Sequence, residues 1–532
     1  MKKNILSHFF TNLDDNVFCL INLPEVIKGT LFSRYSRSSK DLRTLFKEEF
    51  LTNKDIADII PKSSIKSSKI LDVKKAEDFY ERVLVGYGDD SVAELGGAHI
   101  AIENISMLAT KSIEEHRIGL SPLEKSTRYV LFNKKIKGRY PYYIDKNIEK
   151  SKYKKDYINT MDYVFDVYSK IVKDIQPILM KIFPGDDSKA YKFSIRAKAC
   201  DIARGLLPLS AFTNMGVFGN GRAFEYLITN LLNDPLQEVR TIALKMNENL
   251  RKVIPAFIKR ATNEKGKMFR DYIKKRERAL SVVVRKLNKK DTQSPLKNQK
   301  VKLIDYDKNG EIKVIAAILF ERTQKTHKDC LNLAKKLSKK QKEEILKKYL
   351  DFRQNRHHKP GRALEEIYFS FEITADWGVY KDLMRHRILT RYRQSFTNKL
   401  GFCIPKEITM TGFENMYKSA CQSALELYEK LKEKLPFESQ YAVLHGAYNR
   451  FYIKMNLREA VHLCELRSSR QGHPTYRKIA QDIAREIIKI YPLLGKLSLK
   501  FVDYKGYDLE RLQAFKELEE KAKKLGVKGF EE

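Results

Sequence analysis

The chain has 532 residues, 42% of them hydrophobic, and a formal net charge of +35. That length exceeds a single core and points to two or three domains, while the apolar content excludes wholesale disorder. No apolar run approaches the ~20 residues needed to cross a bilayer, and the six scattered cysteines form no C-x-x-C pair, so a reducing cytoplasmic setting without membrane attachment is expected. The positive charge is spread over nearly every segment. It reads mainly as a lysine-rich surface, and no nucleic-acid partner is required.

Residues 5–10 are too short and too interrupted for a signal peptide. Tyr87-Gly88-Asp89-Asp90-Ser91-Val92-Ala93-Glu94 sets a glutamate at a helix start. Glu115-His116-Arg117 follows, then Glu124-Lys125-Ser126-Thr127-Arg128-Tyr129. In an extended or looped backbone its carboxylate, hydroxyl and guanidinium at i, i+2 and i+4 would share one side. Amphipathic helices are expected over residues 153–182 and 235–259, with Ala203-Arg204 and Asn220-Gly221-Arg222 between them. This first domain is drawn at 1–262, and 263–300 reads as a basic helix and polar linker.

Val301–Tyr306 opens a second domain, drawn at 301–495. Glu365 follows Lys359-Pro360-Gly361, and Ile367, Phe369, Phe371 and Ile373 alternate as in a half-buried strand. Trp377, Tyr380, Leu383 and Met384 at helical spacing lead into Arg385-His386-Arg387 and then Arg393-Gln394-Ser395-Phe396-Thr397-Asn398. A helix is expected over 416–435, then Asn456-Leu457-Arg458-Glu459-Ala460-Val461-His462 through Arg467, then a helix over 476–491. Residues 496–532 read as a charged C-terminal tail. The expected class is helix-rich α+β, with two tandem copies of one mixed domain.

The pairs Glu94 and Glu365, His116 and His386, Asn220 and Asn456 recur in the same order, which indicates two long copies. They are complementary. The Glu-x-Ser-x-Arg run survives only in the first, Arg-His-Arg only in the second. Gln440 stands at the place of Arg204, and Leu231 at the place of Arg467. An isolated Arg-His-Arg would be read as a basic helix terminus; random decay would not be expected to sort the parts so cleanly. His357, His358 and His473 have no metal-ligand spacing around them, and no G-x-G-x-x-G or Walker loop is present.

Joined, the intact parts resemble the signature of flavin-dependent thymidylate synthases. The resemblance implies methylation of dUMP to dTMP, with FAD as cofactor, methylenetetrahydrofolate as carbon donor and NADPH as reductant. It assigns Glu124, Ser126, Thr127, Arg128, Arg204, Asp382, Arg385 and Arg467 to dUMP. It assigns Glu124, Arg385, His386, Arg387, Asn456, Arg458 and His462 to FAD, and no residue to a metal. Arg467 would be catalytic, stabilising negative charge at N3 and O2 of the uracil. The family's sites lie between subunits, so one composite site per chain and a homodimer are expected. Asp382 departs from the family's usual glutamine; Asp89 and Pro360 depart from its usual histidine. Two alternatives stay open: a related flavin enzyme acting on another pyrimidine nucleotide, and an inactive relative that binds nucleotide or nucleic acid.

Overall fold

The computed structural model describes residues 5–51, 93–287 and 300–525. Residues 87–92 of the first glutamate segment and 291–299 of the linker lie outside them. The first half runs α1 (Glu25–Tyr35), β1 (Gly97–Ser106), α2 (Met107–Glu114), β2 (Leu120–Glu124), α3 (Lys154–Ile182), α4 (Lys189–Ala203), β3 (Phe212–Asn220), α5 (Gly221–Leu231), α6 (Gln237–Leu250) and α7 (Glu264–Leu287). The second half runs β4 (Val301–Tyr306), α8 (Gly310–Phe320), β5 (Tyr368–Asp376), α9 (Trp377–Leu383), β6 (Thr390–Arg393), α10 (Glu414–Lys432), β7 (Tyr448–Asn456), α11 (Leu457–Arg467), α12 (Pro474–Ile490) and α13 (Leu512–Leu525). The mixed, helix-rich class expected from sequence is what the chain adopts.

The chain contacts divide into two units, Met1–Lys125 with Phe212–Thr292, and Ser126–Ala211 with Gln293–Glu532. The division does not follow the repeat. The stretch between β2 and β3, with helices α3 and α4, packs with second-half elements.

In the first unit, β1, β3 and β2 form an antiparallel sheet in that order. Ser106 ends β1 and caps α2, its hydroxyl accepting from Ala109 N at 3.0 Å, while Glu238 of α6 takes the Ser106 N–H and O–H. Asn220 ends β3 and caps α5 through Ala223 N at 2.8 Å. Polar side chains at these strand–helix junctions satisfy N–H groups that a helix start leaves unpaired.

The second unit repeats the scheme in a four-stranded antiparallel sheet, order β4-β5-β7-β6. Asp376 ends β5 and caps α9 through Val379 N at 3.1 Å; Asn456 ends β7 and caps α11 through Glu459 N at 2.8 Å. Ile367, Phe369, Phe371 and Ile373 are fully buried as the alternation predicts. Ser370, Thr374 and Ala375 are buried too, because β5 is an inner strand covered on both faces near its end. The apolar stripe of α3 (Met161, Val164, Phe165, Tyr168, Ile171, Ile175) is fully buried and packs on α10, as helical periodicity requires. Residues 205–209 run antiparallel to 443–446, with Leu209 N to Val443 O and His445 N to Leu207 O both at 2.8 Å.

Three boundaries differ from expectation. The 235–259 helix ends at Leu250, five residues before Pro255, which begins a short 3₁₀ turn. The 476–491 helix starts at Pro474, capped by His473. Residues 496–525 are no tail: Glu510 and Arg511 are 4% exposed, and α13 packs on α4.

Candidate functional site

Helix α4 delivers three polar side chains from one face. Lys198, Asp201 and Arg204 succeed one another at spacings of three, so they stack along the helix and its 3₁₀ extension. All three are buried. Lys198 is ion-paired to Glu407 and Glu510, each at 3.0 Å. Asp201 takes the Arg128 fork, Nε at 2.9 Å and Nη2 at 2.8 Å, and also Arg511 Nη2 at 2.7 Å. Burial opposes ionisation of Asp201, but Arg128, Arg511 and His473 outweigh it and hold its carboxyl well below the usual carboxylate range. Arg128 is fixed further by Nη1 donating to Gln471 O and the Tyr476 hydroxyl, both at 3.2 Å.

Asp382, near the end of α9, is the centre of the charge pattern. Burial would raise its carboxyl, yet Arg385, Arg467, Arg204 and Arg128 together keep it below its ordinary value. Arg385 Nη1 stands 3.9 Å from Asp382 Oδ1. The structure thus gathers four of the predicted arginines, two from each repeat, about one carboxylate. Arg204 Nη2 is buried without a hydrogen-bond partner. Its approach to α9 depends on Gly378, where a Cβ would stand 2.8 Å from Arg204 Nη2 and 2.4 Å from the His445 ring.

Arg467 is oriented from behind. Its Nε donates to His386 Nε2 at 3.0 Å, which makes that nitrogen an acceptor and leaves the ring proton on Nδ1. Nδ1 therefore donates to Glu459 Oε1 at 2.7 Å. Burial, with Arg467 adding to it, keeps the His386 pKa well below the usual imidazole range. Burial also pushes Glu459 from 4.5 up to about 7. The guanidinium of Arg467 lies over the Tyr476 ring, 5.8 Å from its centroid.

Other predicted residues are placed differently. Glu124 is buried in the first unit against Lys111 at 3.1 Å, and Lys111 also pairs with Glu114. Ser126 Oγ accepts from Arg128 N at 3.2 Å, and Val130 N bonds to Ser126 O. Glu124 thus ends β2 and the Ser-x-Arg part turns after it, the looped rather than the extended alternative, and Thr127 is buried. Asn456 is a helix cap. Arg458 pairs with Glu365 at 3.1 Å and donates to Pro360 O, just as Arg222 pairs with Glu94 at 3.0 Å. The two repeated glutamates are partners of the two Asn-x-Arg arginines. Arg385, Arg387 and His462 are exposed, and the His462 ring lies 5.1 Å from that of His386.

Sequence reading missed Asp201, Glu459, His473, Tyr476 and Arg511. Two had a signal. Asp201 lies one helical turn before Arg204, and Glu459 sits inside the quoted Asn-x-Arg segment.

The family pattern described as "Thymidylate synthase complementing protein" matches residues 42–256 and again 302–493. The chain belongs to that family, in a tandem form. It is 43% identical over 515 residues to a UPF0159 protein of Chlamydia muridarum, covering 96% of each chain. It is 42% identical over 517 residues to one of Chlamydia pneumoniae, again with 96% of each covered. A UPF0159 protein of Thermoplasma acidophilum is 32% identical over 515 residues, covering 92% of this chain and 97% of that one. Among solved structures, a UMP/dUMP methylase, PolB from Streptomyces cacaoi, matches 39% of this chain and 98% of its own at 18% identity and a TM-score of 0.32. That likeness is too slight to bear on function. Among the described residues no group of three or more His, Cys, Asp or Glu could hold a metal ion, and no helix is long and apolar enough to cross a membrane.

Proposed function

We propose that this chain is a flavin-dependent thymidylate synthase that methylates dUMP to dTMP at one composite site, with FAD, methylenetetrahydrofolate and NADPH. The observation that carries the reading is the convergence of Arg128 and Arg204 from the first repeat with Arg385 and Arg467 from the second around Asp382. A nucleoside monophosphate needs charge-assisted donors for its phosphate and a cation beside the uracil N3 and O2. The family membership supplies the rest of the reading.

In this reading Arg128, held by Asp201 and Arg511, and Arg204, with its unpartnered Nη2, bind the phosphate end. Arg467 faces the base and favours the N3 anion. His386 acts through Arg467, since both of its ring nitrogens are taken. The donor set at the surface of this unit fits FAD: Arg385 and Arg387, either side of His386 in sequence, are guanidinium groups suited to its pyrophosphate, and exposed His462 has its ring 5.1 Å from that of His386. When bound, the flavin supplies the reducing chemistry. Asn456 and Arg458 support that surface by capping α11 and tying it to Glu365. Glu124 supports the first unit through Lys111.

A second reading is favoured by Asp382. A carboxylate only accepts, so a base carrying an amino group would suit it better than uracil would. Incubation with FAD, NADPH, methylenetetrahydrofolate and either dUMP, UMP or dCMP decides. The proposal expects dTMP from dUMP and a flavin absorption band on the purified protein. Absence of both, with FAD added at micromolar concentration, would overturn it.

A further inference from the structure

Helix α7 is held to the first unit by its opening turns. Gly266 lets it lie close to the turn before it, where a Cβ would collide with Arg260 O. Arg270 donates to Ala261 O, and its own carbonyl accepts from Asn233 Nδ2 at 3.0 Å. Phe269 meets the Tyr226 ring of α5, the centroids 6.4 Å apart. From Lys274 to Leu287 every residue is exposed, a run of about 21 Å of helix.

That run does not have the composition of a solvated face. Phe269, Ile273, Leu280, Val283, Val284 and Leu287 recur at spacings of three, four and seven and form one stripe. Leu280, Val283, Val284 and Leu287 are 51–81% exposed. Arg276 falls on the stripe, bonded to Glu277 Oε1 at 2.7 Å and 5.7 Å from the centroid of the Tyr272 ring. The helix carries nine basic residues against three acidic, and most of the cations flank the stripe or cover the side opposite it. Whatever covers α7 must therefore offer apolar surface and negative charge together.

The candidates divide on those two requirements. Nucleic acid supplies the charge and leaves the stripe in water. A second copy of the chain would oppose two helices with the same excess of cations. A groove in an acidic protein reaches only the cations beside the stripe. The field of a charged plane extends about a Debye length, ~8–10 Å, and so acts on those of the far side as well. The surface of an anionic bilayer meets both requirements. Apolar side chains enter the acyl boundary, and lysine and arginine stems lie along it with their charges at the lipid phosphates.

We propose that α7 docks this chain on an anionic membrane surface, its stripe in the headgroup boundary and its cations at the phosphates. The expectation of a chain without membrane attachment rested on the absence of a span, and a helix that lies on a surface needs none. The proposal does not depend on the activity of the chain, since no residue of α7 is assigned to nucleotide or flavin.

The test is flotation of the full chain with vesicles of phosphatidylcholine alone, or with about one third phosphatidylglycerol. The chain floats with the anionic vesicles, at least about tenfold more tightly than with the neutral ones. Leu280→Gln with Val283→Gln weakens this by about tenfold or more, the loss of two buried apolar chains. Val282→Gln, on the polar side of the same helix, stays within about twofold. Lys275→Gln with Lys286→Gln, beside the stripe, costs roughly ten- to thirtyfold. All five side chains are exposed, so the melting temperature stays that of the parent. No flotation, equal affinity for neutral vesicles, or equal effects of the stripe and Val282 variants each overturn the proposal. So does a stripe variant that halves the mass in light scattering while the parent ignores vesicles, which would give the stripe to a second copy. Duplex nucleic acid that binds regardless of the stripe variant, with vesicles ignored, overturns it too.

Discussion

At the scale of single residues, the arrangement makes sharp demands. Arg128→Ala and Arg467→Ala each remove a charge-assisted contact of ~1.5–3 kcal/mol, so kcat/KM for dUMP should fall about ten- to a hundredfold in either variant. Steady-state kinetics check this. Gly378→Ala should do comparable damage without touching a charge, because its Cβ collides with Arg204 and His445; a crystal structure of the variant should show the guanidinium displaced. Gln440, at the place of Arg204 in the repeat, accepts from Phe396 N and donates to Phe437 O, so Gln440→Ala should lower stability and spare dUMP binding. Glu459 yields a pH prediction. Its carboxyl is raised from 4.5 to about 7 in the fold, so the folded state holds the proton more tightly than the unfolded chain. Stability from this group is therefore full below about pH 4.5 and declines as pH rises to about 7, by at most about 3 kcal/mol. Glu459→Gln should melt progressively higher than the parent chain between pH 5 and 8. Parallel melting curves across that window would show that Glu459 ionises normally.

At the scale of elements, α4 and the C-terminal segment act as one support. Arg511 bonds Asp201 and donates to Arg128 O at 3.3 Å, while Glu510 secures Lys198. Arg511→Ala should raise KM for dUMP about tenfold with a smaller change in kcat, and Arg511→Lys should restore part of it, since charge is kept but the planar fork is lost. A purely structural role would instead lower the melting temperature and leave KM unchanged. Much of the element pattern was legible in sequence. Alternation marked β5 and helical spacing marked α3, while the Asn-x-Arg that marked the repeat falls at the two β-to-α junctions. The role of those junction residues was not legible, because a cap and a ligand contact demand the same polar side chain. Nor was the position of Glu124: a spacing rule assumes a straight backbone, and Lys111, buried one turn before Glu114, draws the carboxylate inward. Arg511 carried no local signal at all, since its partner is 310 residues away.

At the scale of the whole molecule, complementary decay of two repeats predicts one dUMP bound per chain, abolished by Arg128→Ala and by Arg467→Ala alike. Calorimetric stoichiometry checks it; two equivalent nucleotides per chain would mean that both mirrored sites work. A homodimer is expected in light scattering, two doubled chains replacing four single ones. The division of the chain also has a consequence for its synthesis. Ser126–Ala211 belongs to a unit whose remaining parts, through Arg511, emerge about 300 residues later, some tens of seconds at ribosomal rates of ~5–20 residues per second. Until α10 emerges within that interval, the apolar stripe of α3 has no α10 to cover it. A ribosome stalled in the linker should therefore hold a nascent chain that chaperones bind and proteases cut within α3, and release of the finished chain should end both.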